Sequence, residues 1–164
     1  MYQIDDYVVY GNYGLCRVKD ISTLDMEGVN KDRQYYFLTP VYGNHGVVYT
    51  PVDNDKVVIR KIMTKDEAEA LLAGIKDIVK MEISAEKARE DRYRECIRSC
   101  NGIEWMRLIL TIRSRMQERI ESGKKATALD ERYLKLAEDY LYTELAVALD
   151  TEVEDVPERI KNYL

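Results

Sequence analysis

The sequence predicts an α+β protein: a small five-stranded curled sheet at the N-terminal end, followed by an all-helical C-terminal domain. Three observations carry that expectation. Five short runs rich in β-branched and aromatic residues fall before residue 63, separated by turn-forming pieces. At Thr64 the apolar spacing changes from runs and alternation to a 3.6-residue period. Thirteen tyrosines stand against one Phe and one Trp, and a tyrosine supplies apolar area with a polar tip, which suits half-exposed sheet faces.

Taken in order, Tyr7-Val8-Val9-Tyr10 is a strand, and Gly11-Asn12-Tyr13-Gly14 is a turn built from residues that tolerate positive φ. Further strands are expected at 15–21, 34–39, 47–50 and 57–62, with a polar loop at 25–32 and a hairpin turn at Gly43-Asn44-His45-Gly46. Thr64-Lys65-Asp66-Glu67 has the form of a capping box and opens a short helix to about Ala73. The domain reading is therefore 1–73 for the β-rich module with its short helix, 74–83 for a candidate linker, part of which is expected to pack through Ile78, Val79 and Met81, and 84–164 for the helical domain. In the last, Ser84 is the expected cap of a helix running to about Ser99, and Asn101-Gly102 ends it. Met106, Ile109, Leu110, Ile112, Met116 and Ile120 mark the apolar side of a helix over 103–122, closed by Gly123. Thr127 starts the next, through Ala148, and a short helix containing Ile160 follows, with Asp155 as its expected cap ahead of Pro157. Trp105 lies four residues before Ile109 on the same apolar side and is expected in the core.

Composition narrows the function classes. With 46% apolar and 34% charged residues the chain can pack a core and is not globally disordered. No window approaches eighteen uninterrupted apolar residues, and the start lacks a basic leader, so neither a membrane span nor a secretory signal is expected. Three scattered cysteines, Cys16, Cys96 and Cys100, fit reduced thiols in a cytoplasm better than a disulfide framework. Cys96 and Cys100 share a helix face, but the single histidine, His45, is far away in sequence, so a metal site is not expected. The same isolation disfavours a histidine-activated nucleophile, and no phosphate-cradling glycine loop is present. No cofactor and no enzymatic chemistry are expected.

A set of short motifs, in order along nearly the whole chain, carries a resemblance. They are Asp6 with Val8-Val9-Tyr10 and Gly14, Tyr35-Tyr36-Phe37-Leu38, Thr50-Pro51-Val52-Asp53 and Arg60-Lys61-Ile62-Met63-Thr64. Gly123-Lys124-Lys125, Ala137-Glu138-Asp139 and Glu144-Leu145-Ala146 continue it. Together they resemble the CarD/CdnL family of bacterial transcription regulators, whose N-terminal module is shared with transcription-repair coupling factors. The resemblance implies a Tudor-like N-terminal sheet that docks on the RNA polymerase β subunit, sheet to sheet. It places the contact at Val47, Val48, Tyr49 and Leu24, and the family's basic residue after the hairpin turn falls on Tyr49 here. It also implies a helical domain directed at promoter DNA beside the opening bubble. The tryptophan that members use as a wedge there aligns with Arg89, four positions before Tyr93, so wedging is not carried over.

The charge pattern bears on that second role. A formal net charge of −5 predicts weak binding to free DNA. Between Arg107 and Lys125 there are six basic residues against two acids, whereas 138–158 holds eight acids and no base. The candidate DNA contacts are Arg89 and Arg92, which the resemblance places in the family's DNA-facing region, with Arg119, Lys124 and Lys125; the two lysines follow a helix end with no adjacent acid. The sequence thus reads as a monomeric cytoplasmic regulator that retunes the promoter open complex. The alternative is a protein-interaction adaptor whose acidic helical domain leaves DNA alone.

Overall fold

The computed structural model describes residues 1–43 and 46–164, so the expected turn at Gly43-Asn44-His45-Gly46 lies partly outside the described residues. Backbone contacts divide the chain into two compact units, Met1–Ile62 and Met63–Leu164.

The first unit is a single antiparallel sheet. Its strands are β1 (Tyr7–Tyr10), β2 (Gly14–Thr23), β3 (Gln34–Pro40), β4 (Val48–Pro51) and β5 (Ile59–Lys61), in the spatial order β4-β3-β2-β1-β5. Gly11 turns β1 into β2 at φ +44°, and a Cβ there would meet Val57 Cγ1 at 2.6 Å, so only glycine serves. The register between β2 and β3 shifts between Val18 and Asp20, a bulge that bends the long second strand. Val8, Tyr10, Cys16, Val18, Tyr36 and Leu38 form the buried cluster on the inner face, with Tyr2, Ile21, Val48 and Ile59 against it. The Tyr36 hydroxyl accepts from the Tyr2 backbone N–H at 3.0 Å, so a polar tip is spent tying down the chain start.

The second unit is helical: α1 (Lys65–Ala73), α2 (Arg89–Arg98), α3 (Gly102–Glu121), α4 (Ala128–Ala148) and α5 (Val156–Lys161). The α+β architecture matches the sequence expectation, and the division between its parts falls at Ile62/Met63 rather than after Ala73. α1 goes with the helices: Ala68, Leu71 and Leu72 are buried, and Leu71 and Leu141 both lie against Gly102. Thr64 caps α1 as expected, its Oγ1 accepting the Glu67 N–H at 3.1 Å, although the Thr64 hydroxyl also donates to the Glu67 carboxylate at 3.2 Å.

The candidate linker packs in part: Ile75 and Met81 are buried, whereas Val79 is exposed. It is also pinned in extended form: Arg107 Nε donates to the Val79 carbonyl at 2.9 Å, and the Met81 N–H donates to Thr111 Oγ1 at 3.0 Å. Beyond them, past the expected cap at Ser84, α2 starts at Arg89 after a single 3-10 turn, Glu86–Ala88, with no side-chain cap. Asn101 does more than follow a helix. Cys100 takes a left-handed φ of 54° to end α2, and Asn101 then caps α3 by accepting from Ile103 N and Glu104 N. Thr127 caps α4 through Asp130 N as expected, while Asp155 makes no side-chain cap bond to α5.

Trp105 is fully buried, as its spacing predicts. Its indole Nε1 donates to the Ile97 carbonyl at 3.3 Å, and its ring lies 5.6 Å from that of Tyr140. Glu144 is buried as well; its carboxylate accepts the Met63 N–H at 2.8 Å, joining the start of the unit to α4. Among the described residues no helix is long and apolar enough to cross a membrane.

Candidate functional site

In the strand unit the candidate site is an edge. β4 stands at one end of the strand order, paired to β3 alone among the described residues, so its outer backbone N–H and C=O groups face away from the sheet. Alternation decides which side chains go where. Thr50 is buried under the sheet, whereas Tyr49 points to the outer face and is 43% exposed. The register sets Tyr49 opposite Phe37, and the two rings meet edge to face at 4.9 Å. Tyr35 shares that face two residues along β3. The edge strand thus carries an aromatic pair beside its free backbone groups, the combination that suits extension by another sheet.

The other expected polymerase contacts distribute unevenly. Val47 and Val48 are half-buried at the start of β4, with Val48 against the inner cluster. Leu24 is buried just beyond β2, and the pairings Thr23 to Gln34 and Tyr35 to Pro51 place it at the opposite end of the strand register. The structure therefore groups Val47, Val48 and Tyr49 and does not bring Leu24 to them. Phe37 is the residue that sequence reading missed. Its role depends on cross-strand register, and the strand run itself carries no mark of it.

In the helical unit the basic residues sort into engaged and open ones. Arg89 is largely buried: its Nε donates to both oxygens of Glu86 at 3.0 and 3.1 Å, and a terminal nitrogen donates to the Tyr93 hydroxyl at 3.3 Å. Burial works against its charge, but the hydrogen bonds to Tyr93 and Glu86 outweigh it and hold the guanidinium protonated more firmly than usual. Tyr93 in turn donates to Asp130 Oδ1 at 2.8 Å, and the same oxygen receives Arg115 at 3.4 Å. Arg115 also reaches Glu86 Oε1, at 3.1 Å. Asp130 is wholly buried, so this is a charged cluster sunk into the helical unit.

Lys124 and Lys125 are exposed and make no ion pair among the described residues. Gly123, at φ +77°, ends α3, and the Lys124 N–H returns to the Arg119 carbonyl at 2.8 Å. Arg119 Nε donates to the Lys125 carbonyl at 2.8 Å, so its guanidinium braces the loop that presents the two lysines. Arg115 lies one turn before Arg119 on α3, which sets the Arg89 cluster and the lysine loop toward the same end of the helix pair. Arg92 is half-buried on α2, three residues from Arg89, and also makes no ion pair among the described residues. Arg113 is occupied elsewhere, with Glu138 at 2.7 Å and Tyr142 at 3.2 Å.

The acidic stretch is not one repelling surface. Glu138 pairs with Arg113, Asp139 with Lys135 at 3.0 Å, and Glu144 is internal.

Residues 2–63 match the family model of the CarD-like/TRCF RID domain, a span that coincides with the strand unit. The N-terminal unit is accordingly a CarD-like RNA polymerase-interacting module, in agreement with the motifs in Asp6 to Gly14, Tyr35 to Leu38 and Arg60 to Met63. No curated protein matches the chain.

Proposed function

We propose that the protein is a transcription regulator that holds the RNA polymerase β subunit through the outer edge of β4 and modulates promoter open-complex stability through its helical unit. The observation that carries the reading is the aromatic edge at Val48, Tyr49 and Phe37 within a unit that matches the RID model. The tether does the concentrating: with a net charge of −5, the chain approaches DNA productively only when anchored beside it. Lys124 and Lys125, braced by Arg119, then meet phosphates and add a salt-sensitive, sequence-independent increment. No chemistry is required. About 1.4 kcal/mol of preference for the open state shifts its population tenfold.

The test is capture of purified polymerase by the full chain, with and without promoter DNA and nuclease. The reading expects DNA-independent capture through the β subunit and a change in open-complex lifetime. Capture with no effect on any promoter complex would favour the adaptor reading, in which the helical unit engages a second protein.

A further inference from the structure

Two arginines of the helical unit converge on one exposed carboxylate. Arg89 donates from Nε to both oxygens of Glu86, and Arg115 donates from a terminal nitrogen to Oε1 at 3.1 Å. The exposures are unequal: the arginine side chains are 11% and 19% exposed and that of Glu86 is 69% exposed. The cations are held from beneath by buried groups. Asp130 Oδ1 takes Arg115 and the Tyr93 hydroxyl, and Tyr93 receives Arg89. Asp130 Oδ2 has no hydrogen-bond partner among the described residues, so that buried charge is answered through Oδ1 alone.

We propose that Glu86 occupies, within the free protein, a binding site for one phosphodiester group of DNA formed by Arg89 and Arg115. Charge balance supports it. The two guanidiniums exceed Asp130 by one positive charge, and either the Glu86 carboxylate or a single phosphodiester supplies the missing negative one. Geometry supports it too, since guanidinium groups bind carboxylate and phosphate oxygens in the same planar, paired fashion. The hydrogen bond from Arg89 keeps the Glu86 carboxyl below its usual range, so the occupant is charged at neutral pH. Displacement needs no repacking, because the Glu86 side chain lies in water while the arginines keep the geometry that Tyr93 and Asp130 impose. Glu86 sits on the 3-10 turn that leads into α2 with its side chain toward water, so moving that side chain disturbs no core packing.

The inference rests on the DNA reading above and adds Arg115 and Glu86 to it. The test is open-complex lifetime with purified polymerase, one promoter and the full chain, comparing Glu86→Gln with Glu69→Gln. Glu69 is an exposed acid on α1, so its replacement makes the same change in net charge. Glu86→Gln is expected to lengthen the lifetime gain about two- to fivefold, the range over which an exposed ion pair competes. Glu69→Gln leaves it near the parent value, and adding Arg115→Gln to Glu86→Gln removes the gain; thermal melting verifies that each variant is folded. Equal lifetimes for the two glutamine variants overturn the inference. If Lys124→Ala/Lys125→Ala still shortens the lifetime in that case, the DNA reading stands without this site; if it too changes nothing, both fall. A Glu86→Gln protein that gains affinity for polyglutamate with lifetime unchanged also overturns it, because the site then serves an acidic protein segment.

Discussion

The two units handle unpaired groups in opposite ways. The strand unit ends in β4, whose backbone edge and aromatic pair Tyr49–Phe37 are left outward, while its inner face is closed by Tyr36, Leu38 and Val8. The helical unit turns Arg89 and Arg115 inward on Tyr93 and Asp130, and leaves Lys124 and Lys125 exposed on a braced loop. An open sheet edge offers fixed, directional groups and suits a lasting contact with a protein. Exposed cations on a loop suit brief, sequence-independent contact with phosphate. The proposed function uses that difference, with the first unit as the tether and the second as the adjustable contact.

The largest expected effect would break that comparison from the core. Trp105→Ala removes a fully buried aromatic and its hydrogen bond, and costs the helical unit about 3 kcal/mol or more. Denaturant unfolding followed by far-ultraviolet circular dichroism should show the loss in the helical transition, with polymerase capture retained. A well-folded Trp105→Ala protein that has lost its promoter effect would instead put this residue in the site.

Tyr49→Ala comes next. Loss of an aromatic anchor at the edge should weaken polymerase binding by about 2 kcal/mol, roughly thirtyfold, with the unfolding midpoint almost unmoved. Binding titrations against purified polymerase measure it. An unchanged affinity would remove β4 from the interface.

Lys124→Ala/Lys125→Ala should keep polymerase affinity and shorten open-complex lifetime toward that without the protein, by up to about tenfold, with the contrast fading as salt rises. Loss of polymerase binding by this variant would mean that the lysines belong to the tether.

The smallest effect is a pH dependence of the helical unit. Burial, reinforced by the neighbouring Glu104 carboxylate, pushes the Cys96 thiol up from about 9 to about 11. Burial likewise pushes the Tyr142 hydroxyl up from about 10 to about 12, with Arg113 opposing and Glu138 adding to it. Both values are higher folded than unfolded. Their contribution to stability is complete below the unfolded values and is lost as pH rises through the folded ones. Unfolding midpoints should therefore fall from pH 9 upward, and Tyr142→Phe should flatten part of the fall. A flat parent profile would contradict this account of the two side chains.

How much of this was legible in the sequence depended on the range of the interactions. Strand and helix positions followed from local runs and spacing, and the Trp105 core position from a four-residue repeat with Ile109. Thr64 and Thr127 announced their helices because a cap acts within three residues. The delayed start of α2 was not legible, because the chain before it is tied at Val79 and Met81 to Arg107 and Thr111 of α3, a contact that local spacing does not show. Phe37 beside Tyr49 needed the β3–β4 register, which no single strand encodes. Arg89 read as a DNA contact because the resemblance aligned it with the family's DNA-facing position. Only the meeting of α2, α3 and α4 supplies the Tyr93, Asp130 and Arg115 that hold it inside.

The central claim, one unit for tethering and the other for DNA, is tested most directly by open-complex lifetime measured against protein concentration for the parent, Tyr49→Ala and Lys124→Ala/Lys125→Ala. A tether lesion should raise the concentration needed for half the effect and leave the plateau intact. A DNA-contact lesion should lower the plateau at an unchanged half-effect concentration. If both variants move the same parameter, the two units do not divide the work in this way.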